Sequence, residues 1–151
     1  MRFLVVEDDE NKRRRVLDFL NSYFADDEVI HSASLVTGLR EAKRVSPDLV
    51  ILDMTLPNYD SSGPDPDGRM HAFGGKEFLR QMARMPGTSK VIVLTQFESF
   101  GEAPNVTGLN DLDADLKLKF PEHYVGAVYY HASINEWEKS LKMMIEGLEL
   151  K

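Results

Sequence analysis

The sequence predicts an α/β fold built on one doubly wound sheet of five parallel strands. Three observations carry that prediction. Leu49-Val50-Ile51-Leu52 is a continuous aliphatic run ending on Asp53, the signature of a strand buried on both faces. Phe3-Leu4-Val5-Val6 and Val91-Ile92-Val93-Leu94 repeat the pattern, and each also ends on polar residues. Between the runs lie stretches whose apolar residues recur at helical spacing, so the chain alternates strand and helix as parallel crossovers require.

Taken in order, residues 3–6 form the first strand, which runs into Glu7-Asp8-Asp9-Glu10. Val16, Leu17, Leu20 and Phe24 then mark a helix over 11–24, with Asp9 or Glu10 as its cap. Lys12, Arg13, Arg14 and Arg15 fall mostly on the solvent side of that helix, as a solvated basic face. Residues 28–33 read as a second strand. Ser34 caps a helix carrying Leu35, Leu39, Ala42 and Val45, which Pro47 ends before the strand that delivers Asp53.

Residues 58–75 break this rhythm. They are polar, interrupted by prolines and glycines, and contain Asp60, Asp65 and Asp67, so they read as a loop. Asp65-Pro66-Asp67-Gly68 lacks the later ligands and the terminal Glu of a calcium loop. Phe78, Leu79 and Met82 mark a helix over 76–85, followed by a strand over 91–95 ending on Thr95. After an irregular stretch come a helix over 109–119 and a fifth strand over 125–130. Ser133-Ile134-Asn135-Glu136 has the form of a capping box opening the last helix, whose stripe is Trp137, Leu141, Met144, Ile145 and Leu148.

The bulk properties narrow the function. A chain of 151 residues with 42% hydrophobic content is expected to be a single domain over 1–151, with enlarged segments at about 58–73 and 96–124. A net charge of −7 argues against direct nucleic-acid binding, which needs a basic face. The absence of cysteine excludes disulfides and thiolate metal sites. No apolar stretch approaches the roughly 18 residues of a membrane helix, and the opening apolar run is too short for a signal peptide. No membrane contact is expected, and a cytoplasmic location is the default.

If the first, third and fourth strands are neighbours, their carboxyl ends gather Glu7, Asp8, Asp53 and Thr95. Carboxylates crowded together repel unless a cation joins them, and a hard divalent ion such as Mg2+ prefers oxygen ligands with a phosphate. That arrangement suits an aspartyl phosphate, with a carboxylate nucleophile, a metal for the phosphoryl oxygens and a hydroxyl to read the product.

In combination, Leu4-Val5-Val6-Glu7-Asp8-Asp9, Pro47-Asp48-Leu49-Val50-Ile51-Leu52-Asp53-Met54-Thr55-Leu56-Pro57 and Val91-Ile92-Val93-Leu94-Thr95 resemble a response-regulator receiver domain. The resemblance is close over 1–57 and from Gly74 to Thr95, and looser beyond. It implies a flavodoxin-like three-layer sandwich and a signalling role rather than an enzyme. By position, Asp53 resembles the phosphoacceptor and Thr95 the switch hydroxyl. Glu7, Asp8 and Asp53 resemble the Mg2+ ligands, with Asp8 the more direct of the acidic pair, and Thr55 would add its backbone carbonyl.

The chain departs from the receiver pattern in three ways. Receivers carry a Lys-Pro pair at the end of the fifth strand, where the lysine contacts the phosphoryl group. Here those positions fall on Tyr130 and His131, and no lysine lies between Phe120 and Lys139; Tyr130 is the residue standing at the lysine position. Gln96 stands where a small residue is usual, long enough to cover the pocket. The two enlarged segments flank the same face.

The resemblance implies a histidine kinase or phosphotransfer protein as donor and a downstream protein partner. The 109–130 face with Tyr129 and Tyr130 is the expected surface for that partner, and a homodimer could use the same face. Two other readings are set against it. One is a pseudo-receiver that binds protein independently of phosphorylation. The other is a phosphohydrolase, disfavoured because haloacid-dehalogenase-type enzymes place a second acid two residues after the nucleophile, where this chain has Thr55.

Overall fold

The computed structural model describes residues 1–59, 70–71, 73–101 and 103–148. In chain order the elements are β1 (Arg2–Val6), α1 (Glu10–Tyr23), β2 (Glu28–Ser32), α2 (Leu35–Val45), β3 (Leu49–Leu52), β4 (Leu56–Pro57), β5 (Met70–His71), α3 (Gly74–Met82), β6 (Lys90–Thr95), β7 (Ser99–Phe100), β8 (Thr107–Gly108), α4 (Leu109–Lys119), β9 (Tyr124–Tyr129) and α5 (Glu136–Glu146). Five of these strands form a sheet in the order β2-β1-β3-β6-β9, and every pairing in it is parallel. The predicted fold class is the observed one.

Period-two alternation divides the core between the two sheet faces. Leu4, Val6, Val50 and Leu52 point to one face, where Leu35 and Ala42 of α2, Phe78 and Leu79 of α3 and Leu112 and Leu116 of α4 cover them. Phe3, Val5, Leu49 and Ile51 point to the other, beneath Val16, Phe19 and Leu20 of α1 and Trp137, Leu141 and Ile145 of α5. Central strands covered on both faces need apolar residues at every position, and β3 is buried throughout.

The helix starts follow from local chemistry. Asp9 caps α1, its carboxylate accepting from the backbone N–H groups of Asn11 at 2.9 Å and Lys12 at 3.2 Å. Ser34 caps α2 by accepting from the Thr37 N–H at 3.2 Å. The capping box expected at Ser133 is not formed. The α5 helix begins at Glu136 after Asn135 with no side-chain cap, because a bridge between His131 and Ile134 takes up the turn instead.

Three further expectations are corrected. The 58–75 segment is not wholly irregular: β4 and β5 pair antiparallel, Leu56 with His71 and Pro57 with Met70. The segment's Asp60, Asp65 and Asp67 lie outside the described residues. Likewise β7 and β8 form a short antiparallel pair just ahead of α4. Lys12 does not lie on the solvent face of α1. It is 2% exposed, because it continues the stripe Val16, Phe19, Leu20 one turn toward the helix start. Among the described residues no helix is long and apolar enough to cross a membrane.

Candidate functional site

An open parallel sheet binds ligands where the strand order reverses, which here is between β1 and β3. The register pairs Val6 with Leu52, so the residues that follow, Glu7 and Asp53, leave the sheet side by side. Each makes one more ladder bond before the chain turns away. The Asp53 N–H donates to the Val6 carbonyl at 3.0 Å and the Glu7 N–H to the Ser32 carbonyl at 2.9 Å. Their backbones are therefore held by the sheet rather than by a loop, which suits a site that must keep its geometry.

Glu7, Asp8 and Asp53 each offer a carboxylate oxygen, all within 4.8 Å of one another. Glu7 and Asp53 are buried, and Asp8 is half-buried. The Asp53 Oδ1 atom is buried with no hydrogen-bond partner among the described residues. An all-oxygen donor set with an orphaned acceptor fits a hard cation such as Mg2+.

The α3 helix presses on this turn from below. The Gly75 N–H donates to the Met54 carbonyl at 2.8 Å. A Cβ on Gly75 would stand 2.8 Å from both the Asp53 carbonyl oxygen and the Met54 Cα. Thr55 lies on the same turn, half-buried, and its backbone N–H faces the Asp53 carboxylate.

Thr95 closes β6 and is fully buried. Its hydroxyl accepts from the Phe97 N–H at 3.2 Å, and its carbonyl accepts from the Tyr130 N–H at 2.7 Å. Tyr130 is 3% exposed, with its ring 5.2 Å from that of Trp137. Its burial removes it from the expected 109–130 surface, where Tyr129 stays 39% exposed. Gln96 is exposed.

The sequence reading missed the cation of the site. The Lys12 Nζ lies 2.5 Å from Glu7 Oε1 and 3.5 Å from Asp53 Oδ1. It also donates to the Leu94 carbonyl at 2.7 Å and sits 5.6 Å from the centre of the Tyr130 ring. The 3.5 Å separation is an ion pair but too long for a strong hydrogen bond.

The electrostatics follow from burial. Desolvation and the neighbouring Asp53 charge push Glu7 up to about 7, with Lys12 opposing. Desolvation and the charge of Glu7 push Asp8 up to about 6. Asp53 is also raised by desolvation, with Lys12 pulling against it. A carboxyl whose folded pKa exceeds its unfolded value stabilises the fold at low pH, and that contribution is lost as pH rises through the folded value. The melting temperature of the metal-free protein is therefore expected to fall from about pH 5 to about pH 8. Calorimetry on the parent and on Glu7→Gln checks this, since the variant should show a flatter profile.

The sheet order, with acids at its switch point, has the form of a response-regulator receiver fold. No family model matches the chain. It is 38% identical over 146 residues to y4jR, an uncharacterized protein of Sinorhizobium fredii, covering 94% of this chain and 95% of that protein. It is 28% identical over 150 residues to the Detocs response regulatory protein DtcB of Enterobacter cloacae, covering 98% and 100% of the two chains. The fold matches a response regulator receiver domain (CheY-like) from Methylobacillus flagellatus with a TM-score of 0.60 at 17% identity, covering 95% of this chain and 98% of that one. The chain belongs to one family with y4jR, and its fold is that of the response-regulator receiver domains.

Proposed function

We propose that this receiver takes a phosphoryl group on Asp53, with Mg2+, and relays that state to a protein partner. The observation that carries the reading is the cluster of Glu7, Asp8 and Asp53 within 4.8 Å at the switch point, with the buried Thr95 closing the strand that neighbours β3. The metal would be held by Glu7, Asp8, Asp53 and the Thr55 carbonyl, and when bound it neutralises charge on the phosphoryl oxygens.

The rest is done by the chain. An Asp53 carboxylate oxygen attacks phosphorus; an oxygen–phosphorus bond forms as the donor's bond to phosphorus breaks. The leaving group keeps that electron pair and takes up a proton. A donor with a phosphorylated imidazole, such as a histidine kinase or phosphotransfer protein, has the required leaving group. The ladder bond from the Asp53 N–H to the Val6 carbonyl holds the acceptor in line, and burial keeps water from competing. The Thr95 hydroxyl can turn from the Phe97 N–H to a phosphoryl oxygen, so the new state is read at the end of β6.

The exposed face that includes Tyr129 is our choice for partner or homodimer contact, within a single 1–151 domain whose enlarged segments border the site. No direct nucleic-acid or membrane contact enters this reading, and the compartment is cytoplasmic.

The test is beryllofluoride, a phosphoryl mimic that needs no cognate donor. Saturable binding that requires Mg2+ and disappears in Asp53→Asn is expected, followed by amide NMR shifts at residues 53 and 95. Absence of binding in the parent would favour the pseudo-receiver, a module whose partner binds equally with and without Mg2+ and the mimic.

A further inference from the structure

We infer that Lys12 of α1 supplies the ammonium that contacts the phosphoryl group, the role that receivers otherwise give to a lysine after the fifth strand. The inference deepens the phosphoacceptor reading and rests on it.

Burying a lysine is costly, and Lys12 is buried in an unfavourable place. It is 2% exposed and sits in the first turn of α1, where the helix dipole repels a cation. A side chain that merely filled this space would be apolar, like Val16 and Phe19 on the same stripe. What offsets the cost is the acidic cluster above it, and the geometry of that pairing is directional. Two of the three ammonium donors have partners at good distance, Glu7 Oε1 at 2.5 Å and the Leu94 carbonyl at 2.7 Å. A further acceptor, Asp53 Oδ1, lies 3.5 Å away, and that oxygen lacks a hydrogen-bond partner among the described residues. The gap lies on the atom of the acceptor residue that faces the cation.

Phosphorylation converts Asp53 into a group with three further anionic oxygens in that neighbourhood. Lys12 then exchanges its pairing with Glu7 for one with a phosphoryl oxygen, while the Leu94 carbonyl keeps the ammonium anchored. Leu94 directly precedes Thr95, so the cation and the hydroxyl approach the phosphoryl group from adjacent points. Tyr130 has a different part. Its ring lies beneath the ammonium at 5.6 Å, giving a cation an apolar, electron-rich wall without a charge of its own.

The experiment compares the parent, Asp53→Asn and Lys12→Met in two titrations, Mg2+ alone and beryllofluoride at saturating Mg2+. Methionine keeps the length and removes the charge. Loss of a charge-assisted hydrogen bond predicts roughly tenfold or greater weakening of beryllofluoride binding. Mg2+ affinity should rise, because a positive charge beside its ligands is gone. That split separates phosphoryl contact from a purely structural role, which would move both affinities together.

A second measurement needs no variant at Lys12. The side-chain 15Nζ resonance of Lys12 should shift when Mg2+ and beryllofluoride are added to the parent, and stay put in Asp53→Asn. If the parent binds beryllofluoride but Lys12→Met binds it as tightly, or the Lys12 resonance does not move, the inference falls alone. If the parent binds no beryllofluoride, the phosphoacceptor reading falls and takes this inference with it.

Discussion

Gly75→Val is expected to destabilise the protein by about 3 kcal/mol and to weaken Mg2+ and beryllofluoride binding together. The contacts a side chain would make here are with backbone, the Asp53 carbonyl oxygen and the Met54 Cα at 2.8 Å. Neither can swing aside as the end of a flexible side chain would. Either α3 moves off the sheet, losing contacts of Phe78 and Leu79 in the core, or the turn after β3 shifts and carries Asp53 with it. Gly108→Ala is the control, because a Cβ there meets nothing within 4 Å among the described residues; as the N-cap of α4 it should cost no more than about 1 kcal/mol and leave binding unchanged. Urea denaturation gives the stability and isothermal titration the binding. Unchanged stability in Gly75→Val would mean that the contact between α3 and the 53–55 turn is looser than described.

Phe78→Ala carries the other large effect, a loss of about 3–5 kcal/mol. Phe78 is fully buried in the cluster that joins α2, α3 and α4 to one sheet face. A Cβ on Gly38 of α2 would lie 3.2 Å from its ring, so α2 and α3 meet there closely. Relaxation into the cavity is limited, since Val6 crowds Gly38 from the sheet side, and a cavity that cannot collapse costs the most. Phe78→Leu should recover most of the loss. Chemical denaturation of the three proteins checks both numbers, and equal stability of Phe78→Ala and parent would contradict the packing.

The sheet was legible because its strands are unbroken aliphatic runs, which few other structures accommodate. The helix faces were legible for the same reason, through spacing, and α4 was expected at the bounds it has, 109–119. The two short antiparallel pairs were not. Two residues carry no period, and β4–β5 and β7–β8 exist through the partner strand rather than through propensity. Ser133 failed as a cap because tertiary pairing at His131 and Ile134 overrode a local motif.

At the site, Glu7, Asp8 and Asp53 could be brought together from strand ends alone, and the structure gathers them. Lys12 could not be found that way, because four consecutive basic residues read as a solvated face. Only Arg14 and Arg15 of that run are exposed, while Arg13 is half-buried and donates to the Glu7 carbonyl at 2.9 Å. The usable signal was the position of Lys12 four residues before Val16, seven before Phe19 and eight before Leu20. A charged residue on an apolar stripe, one turn from an acidic pair, is a partner for those acids.

The origin of the ammonium changes how the pocket is spelled along the chain. Glu7, Asp8 and Lys12 all fall within residues 7–12, so two of the acids and their counter-charge form one short contiguous word. Assembling it requires only the closure that brings Asp53 alongside, and that closure is made by the β1–β3 pairing itself. The far end of β9 is thereby released from supplying a charge. Tyr129, His131 and Ala132 can diverge among relatives without altering the ionic balance around Asp53, and a pattern that demands a lysine there would pass this geometry by.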